Sequence, residues 1–94
     1  MSTNDRVAVV EVGMLAITPR ASTQIQEDDL FNCFVRHLAG DWGEVDDQDR
    51  RANDVALKTG RRILSAYSDR YGSRFWIITE ADRSATTILL PNDY

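Results

Sequence analysis

This chain predicts an α+β fold: two helices packed on one face of a mainly antiparallel sheet of three to four strands, in the order β-α-α-β-β-β. Three observations predict it. The last third holds three runs rich in β-branched and aromatic residues, 62–67, 74–79 and 86–90, separated by two polar breaks of hairpin length. Ahead of them lie two stretches with apolar residues at helical spacing and acidic first turns. Residues 7–18, Val-Ala-Val-Val-Glu-Val-Gly-Met-Leu-Ala-Ile-Thr, are β-rich.

In chain order, residues 1–6 read as a flexible start and 7–94 as one domain. Residues 7–18 predict one bent strand or a strand pair, with Gly13 as the bulge or bend. Thr18-Pro19-Arg20 ends that segment, because proline donates nothing to a ladder, and a connection follows to Gln26. The first helix spans 27–39: Leu30, Phe31, Phe34, Val35 and Leu38 form one stripe, and Gly40 stops it. Two glycines around Trp42 predict a tight loop that tucks the indole against this helix. Asp46 or Asp47 caps the second helix, which runs to Thr59 and ends at Gly60. Its apolar face is thin and mostly alanine. In the meander that completes the chain, Phe75 and Trp76 point to opposite sides of one strand.

At 94 residues the chain buries only about 60 to 65 percent of its unfolded surface, so dimerisation is a live expectation. Hydrophobic content of 43% with 28% charged residues is that of a globular protein. No apolar run is long enough to span a membrane and no signal-peptide pattern opens the chain, so no membrane partner and a cytoplasmic location are expected. A single cysteine, Cys33, agrees with a reducing compartment and with a packing role. The net charge of −4, with acids gathered at 27–29 and 44–49, argues against generic nucleic-acid coating and points to a protein partner with a cationic surface. The basic residues Arg50, Arg51, Arg61, Arg62, Arg70 and Arg74 could gather into a cationic patch; interspersed with acids, they read sooner as a solvated, salt-bridged surface. No cofactor motif and no metal-ligand spacing is present, so neither is expected.

The residues that carry chemistry are few. His37 stands at the edge of the apolar stripe, where it packs its ring and wets one nitrogen; it is also the chain's one neutral-pH acid or base. Asn53 falls among apolar neighbours and must find partners if buried; the backbone of the 40–43 loop is the expected one. The turn Glu80-Ala81-Asp82-Arg83-Ser84, with Thr86 and Thr87 leaving it, reads either as an arginine poised to grip a phosphate or carboxylate, or as a solvated hairpin with local Asp and Ser bonds.

Several of these residues belong to longer motifs: His37 with Gly40-Asp41-Trp42-Gly43, then Asn53, then Leu64-Ser65-Ala66-Tyr67, then Trp76-Ile77-Ile78-Thr79-Glu80-Ala81-Asp82-Arg83-Ser84, and Thr86 through Tyr94. In these the chain resembles a group of small uncharacterised bacterial proteins carried on plasmids, prophages and other mobile elements. Thr18-Pro19 sits where that group has a Thr-Pro turn. Members are sometimes labelled a methylation subunit of a type I restriction system, yet this chain carries no methyl-donor motif and is too short for that role. The resemblance implies a mobile-element or host-defence setting and a preferred set of residues: Asp41, Trp42, Asn53, Glu80, Asp82, Arg83 and Ser84 for binding.

Two functional readings follow. The first is a non-enzymatic interaction protein that binds a macromolecular partner in host defence or plasmid maintenance. The alternative is a metal-independent ribonuclease, with His37 as base, Arg83 steadying the phosphate and Thr86 or Thr87 donating to it. Only this alternative calls for nucleic acid.

Overall fold

The computed structural model describes residues 8–94. The flexible start expected at residues 1–6, and Val7 at the head of the expected strand, lie outside the described residues. Strand β1 (Met14–Ile17) is followed by helices α1 (Pro19–Gln24), α2 (Glu27–Leu38) and α3 (Asp47–Thr59), strands β2 (Ile63–Ser68), β3 (Arg74–Thr79) and β4 (Ala85–Leu89), and a 3-10 turn at Pro91–Asp93. The sheet order is β1-β4-β3-β2. As expected, β2, β3 and β4 pair antiparallel in sequence order. β1 joins parallel to β4 and makes the sheet mixed.

The N-terminal third departs from its sequence reading in two ways. The expected strand over 7–18 contracts to four residues, because Val9 and Val10 donate their N–H groups to the Leu38 carbonyl and so cross the end of α2. Gly13, at φ +60°, is the turn ahead of the strand and not a bulge inside it; a Cβ there would stand 2.4 Å from the carbonyl oxygens of Arg83 and Ser84. Secondly, the stretch after Thr18 is helix α1 instead of a bare connection. Thr18 caps it by accepting from the Ala21 N–H, and Pro19 takes the first helical position, where a missing N–H costs nothing.

The register places Ile63, Ser65 and Tyr67 of β2, Phe75, Ile77 and Thr79 of β3, and Thr86 and Ile88 of β4 on one face. Helix α2 lays Leu30, Cys33 and His37 on that face, and Ala21 and Ile25 close the core beside it. Helix α3 stands at the β2 margin, where Ala56 clusters with Ile63, Val10 and Trp42. On the opposite face Trp76 is covered edge-on by Tyr94, their ring centres 5.8 Å apart.

The outer edge of β2 is closed by side chain and loop. Asn53 donates to the Leu64 carbonyl at 2.9 Å and accepts from its N–H at 3.3 Å, so one amide stands in for a neighbouring strand. Two residues on, the Ala66 N–H reaches the Trp42 carbonyl and the Ala66 carbonyl takes the Glu44 N–H. This corrects the expectation that Asn53 holds the 40–43 loop: the loop pairs with Ala66 directly, and Asn53 masks the next rung. Gly43 makes the close approach, since a Cβ there would lie 2.1 Å from the Ala66 oxygen.

Asn53→Ala leaves the Leu64 donor and acceptor without partners in a largely buried setting, and should lower stability by about 1 to 3 kcal/mol in urea denaturation. Asn53→Asp should not restore it, because a carboxylate accepts from the Leu64 N–H but donates nothing to its carbonyl. An unchanged denaturation midpoint for either variant would contradict this role.

Candidate functional site

His37 is fully buried, not at the wet boundary its spacing suggested. Its Nδ1 lies 2.6 Å from Ser65 Oγ and its Nε2 2.9 Å from Thr79 Oγ1. Thr79 Oγ1 continues to Thr86 Oγ1 at 2.8 Å, and Thr86 donates to the Val12 carbonyl at 2.9 Å. The proton order is set from the far end. A carbonyl only accepts, so the Thr86 hydroxyl donates to Val12 and accepts from Thr79. Thr79 therefore accepts from Nε2–H, and Nδ1 accepts from the Ser65 hydroxyl. The ring is neutral in the Nε2–H form, and burial pushes its pKa from 6.5 down to about 4. The signal for this arrangement was present in the sequence as Ser65, Thr79 and Thr86, polar residues at inward positions of three strands facing the only histidine.

Arg83 folds back onto carbonyls. Its Nη1 donates to the Arg61, Glu80 and Ala81 carbonyls at 2.8, 3.0 and 3.1 Å, and its Nη2 to the Ala56 carbonyl at 2.9 Å. The guanidinium thus ties the β3–β4 turn to the C-terminal end of α3, where the helix dipole favours a cation. The residue itself holds φ 63°, the one non-glycine in the left-handed region among the described residues. Around it, Asp82 accepts from the Ser84 hydroxyl and N–H in a local turn, which together hold its carboxyl below the usual range, and Glu80 is exposed. Thr87 pairs with Ile78 on the face away from the helices, so Thr86 and Thr87 point apart.

Asp41 takes a two-pronged grip from Arg36, at 2.8 and 3.3 Å, and accepts from the Gly43 N–H. The guanidinium bonds hold its carboxyl below the usual range. Trp42 is buried, as its loop predicted, packs edge-on to His37 at 5.8 Å, and donates its indole N–H to Asp54 at 3.0 Å. Cys33 is buried, and desolvation raises its thiol pKa, which suits packing over reactivity.

The candidates therefore do not meet around a cleft. His37 spends both nitrogens inside the core, and Arg83 spends its guanidinium on the backbone. The ribonuclease reading needs one phosphate in reach of both, and neither side chain presents a free group to one. Among the described residues no three His, Cys, Asp or Glu side chains gather as a metal-binding set. One surface feature went unremarked in the sequence, an open apolar edge at β1. Of the arginines expected to be salt-bridged, Arg50, Arg70 and Arg74 are, whereas Arg51, Arg61 and Arg62 pair with no carboxylate among the described residues.

Acid should act on His37 first. Above pH 6.5 the ring is neutral in both folded and unfolded chain. As pH falls from 6.5 to 4, the unfolded chain takes up a proton that the folded core refuses, so stability drops, by about 3 kcal/mol in all for a shift of this size. The lowered carboxyls of Asp29, Asp41 and Asp93 lose their contribution only below their usual value of 3.8, outside that window. His37→Gln should remove the slope between pH 6.5 and 4.5 while lowering stability at pH 7; chemical denaturation across pH checks it. Separately, Arg83→Ala should cost about 1.5 to 3 kcal/mol, and Arg83→Lys should recover only part, because one ammonium cannot span carbonyls on two elements. Thermal melting of both variants reads this directly.

No protein family, curated protein or solved structure matches the chain.

Proposed function

We propose that this chain is a non-enzymatic interaction protein that engages another protein through β1. The observation that carries the reading is the contrast between the two sheet edges. The β2 edge is masked by Asn53 and the 42–44 segment, whereas no described residue pairs with the outer side of β1. Met14 and Thr18 send their N–H groups to the Ser84 and Ile88 carbonyls on the β4 side, so alternation turns those of Leu15 and Ile17 outward.

The surface beside that edge is apolar. Leu15, Ile17 and Phe31 are 44%, 41% and 65% exposed. With Leu30, Phe34 and Ile88 they line a groove of about 200 Å³ between β1 and α2. No charge or proline interrupts Met14–Ile17, the usual guard on an exposed edge. An extended segment of a partner, with apolar residues at alternate positions, would add main-chain bonds to β1 and fill the groove. The partner proposed on the motif resemblance is one of host defence or plasmid maintenance, and the single cysteine suits the cytoplasm. Among the described residues no helix is long and apolar enough to cross a membrane.

Ile17→Lys places a charge in the groove at a position 41% exposed, from which the long side chain can reach water. The tagged protein and this variant should be compared by crosslinking and affinity recovery from host cells, with sedimentation velocity on each purified protein. The expected result is one protein recovered with the wild type and reduced at least tenfold with Ile17→Lys, at unchanged melting temperature. Recovery independent of Ile17 would overturn the assignment. A wild-type dimer that becomes monomeric in the variant would identify the occupant as a second copy of the chain.

A further inference from the structure

The charges of this acidic protein are sorted by place. Arg20, Arg36, Arg50, Arg70 and Arg74 each pair with a carboxylate. Arg83 is spent on carbonyls. Arg51, Lys58, Arg61 and Arg62 are exposed and pair with no carboxylate among the described residues, and all four belong to α3 and the link from it to β2. A net charge of −4 hides this local cationic end.

Arg51, Arg61 and Arg62 line an open trough of about 390 Å³ together with Gln48, Ala52, Val55 and the buried Ala56. It adjoins a second hollow of about 350 Å³, which shares Ala52 and Arg62 and adds Asp49 and Asn53. The arginine-bearing link is held in place. Arg83 bonds the Arg61 carbonyl from below, Asn53 bonds Leu64 just beyond, and Gly60 caps α3 at φ 75°. Arg62 also donates to the Tyr94 hydroxyl and stands over its ring, 5.6 Å from the centre. On a fixed backbone, arginines that pair with no carboxylate among the described residues can take an oxyanion at the cost of side-chain ordering alone.

We infer that this double hollow binds a nucleoside phosphate, with the phosphate on Arg51, Arg61 and Arg62 and the nucleoside lying over Ala52 toward Asp49. Guanidinium forks match phosphate oxygens bidentately. The alanine and valine side chains of the lining offer apolar contact to a flat ring. Asp49 repels a second anion and instead accepts from a sugar hydroxyl or an exocyclic amine, which gives the site a direction. The ligand is either a free nucleotide or one unit of a single strand, and the open form of the trough accommodates both. This inference is independent of the β1 surface.

The test is amide chemical-shift mapping with AMP, with inorganic phosphate alone, and with an eight-residue oligouridylate, on the wild type and on Arg51→Gln/Arg61→Gln. Both replaced side chains are exposed and without acidic partners, so the variant should fold; Arg74→Gln controls for lost charge. Expected are AMP shifts confined to residues 48–53 and 60–64, and a tenfold or greater weakening in the double variant but not in Arg74→Gln. Oligouridylate binding at least tenfold tighter than AMP, with a log–log salt slope near about −2 for three phosphate contacts, assigns the strand; equal binding per site assigns the free nucleotide. No AMP shifts at millimolar concentration, equal binding by the double variant, or inorganic phosphate binding as tightly as AMP would overturn the inference.

Discussion

The rest of the structure depends on the hydrogen-bonded line that runs Ser65, His37, Thr79, Thr86 and Val12 across the helix-covered face. It joins α2 to β2, β3 and β4 and reaches the segment that leads into β1. Every member is used in one direction, so the line specifies a tautomer, a strand register and a helix rotation together. A shift of one residue in any strand would turn its hydroxyl to the opposite face and leave a buried imidazole nitrogen or hydroxyl unpaired. A core this small gains selectivity from that penalty as well as stability from its apolar neighbours.

The same economy holds at the ends of the strands, each of which is tied to a helix. At the β2–β3 turn, burial of Asp69 opposes its ionisation, yet the N–H groups of Ser73, Gln26 and Tyr71 hold its carboxyl below the usual range and bring the turn to the start of α2. Arg70 adds a two-pronged bond to Asp29. The β3–β4 turn is tied to α3 by Arg83. At the chain's end, Asp93 accepts from the Thr18 hydroxyl at 2.7 Å and from the Leu90 N–H, which locks the last turn against the cap of α1. With these groups occupied, the surfaces left to bind anything are those that no tie uses.

The three meander strands and the two long helices were legible because each carries its own periodicity and stop signals. α1 was not, although its Thr-Pro start was in plain view: six residues give no apolar period, and proline after a β-rich run reads equally well as a terminator. β1 shrank because half of its β-rich stretch finds its partner in the Leu38 carbonyl, a tertiary contact that no local pattern reports. His37 was singled out for the right reason, its isolation as a titratable group, and assigned the wrong environment. A helical wheel places a residue relative to its own helix and says nothing of the hydroxyls on the strands opposite. Arg83 folds back onto carbonyls, two of them on α3 and the link that follows it, which no pattern local to the 80–84 turn reports.

His37, Gly43, Asn53, Ser65, Tyr67, Asp82, Arg83 and Thr86, all within the motifs, share one property: their polar atoms or their lack of a side chain are consumed within the fold. Tyr67 donates to the Asp41 carbonyl at 2.6 Å, and Gly43 exists to let Ala66 approach. A motif assembled from such residues prescribes an architecture and is silent on chemistry. The residues on which the two proposed surfaces rest are Leu15, Ile17, Phe31, Arg51, Arg61 and Arg62, and none falls inside the motifs. The division has a physical ground: the guanidinium of Arg83 is spent on the carbonyls that close a helix instead of on a ligand, and an edge sealed by an asparagine cannot accept a strand.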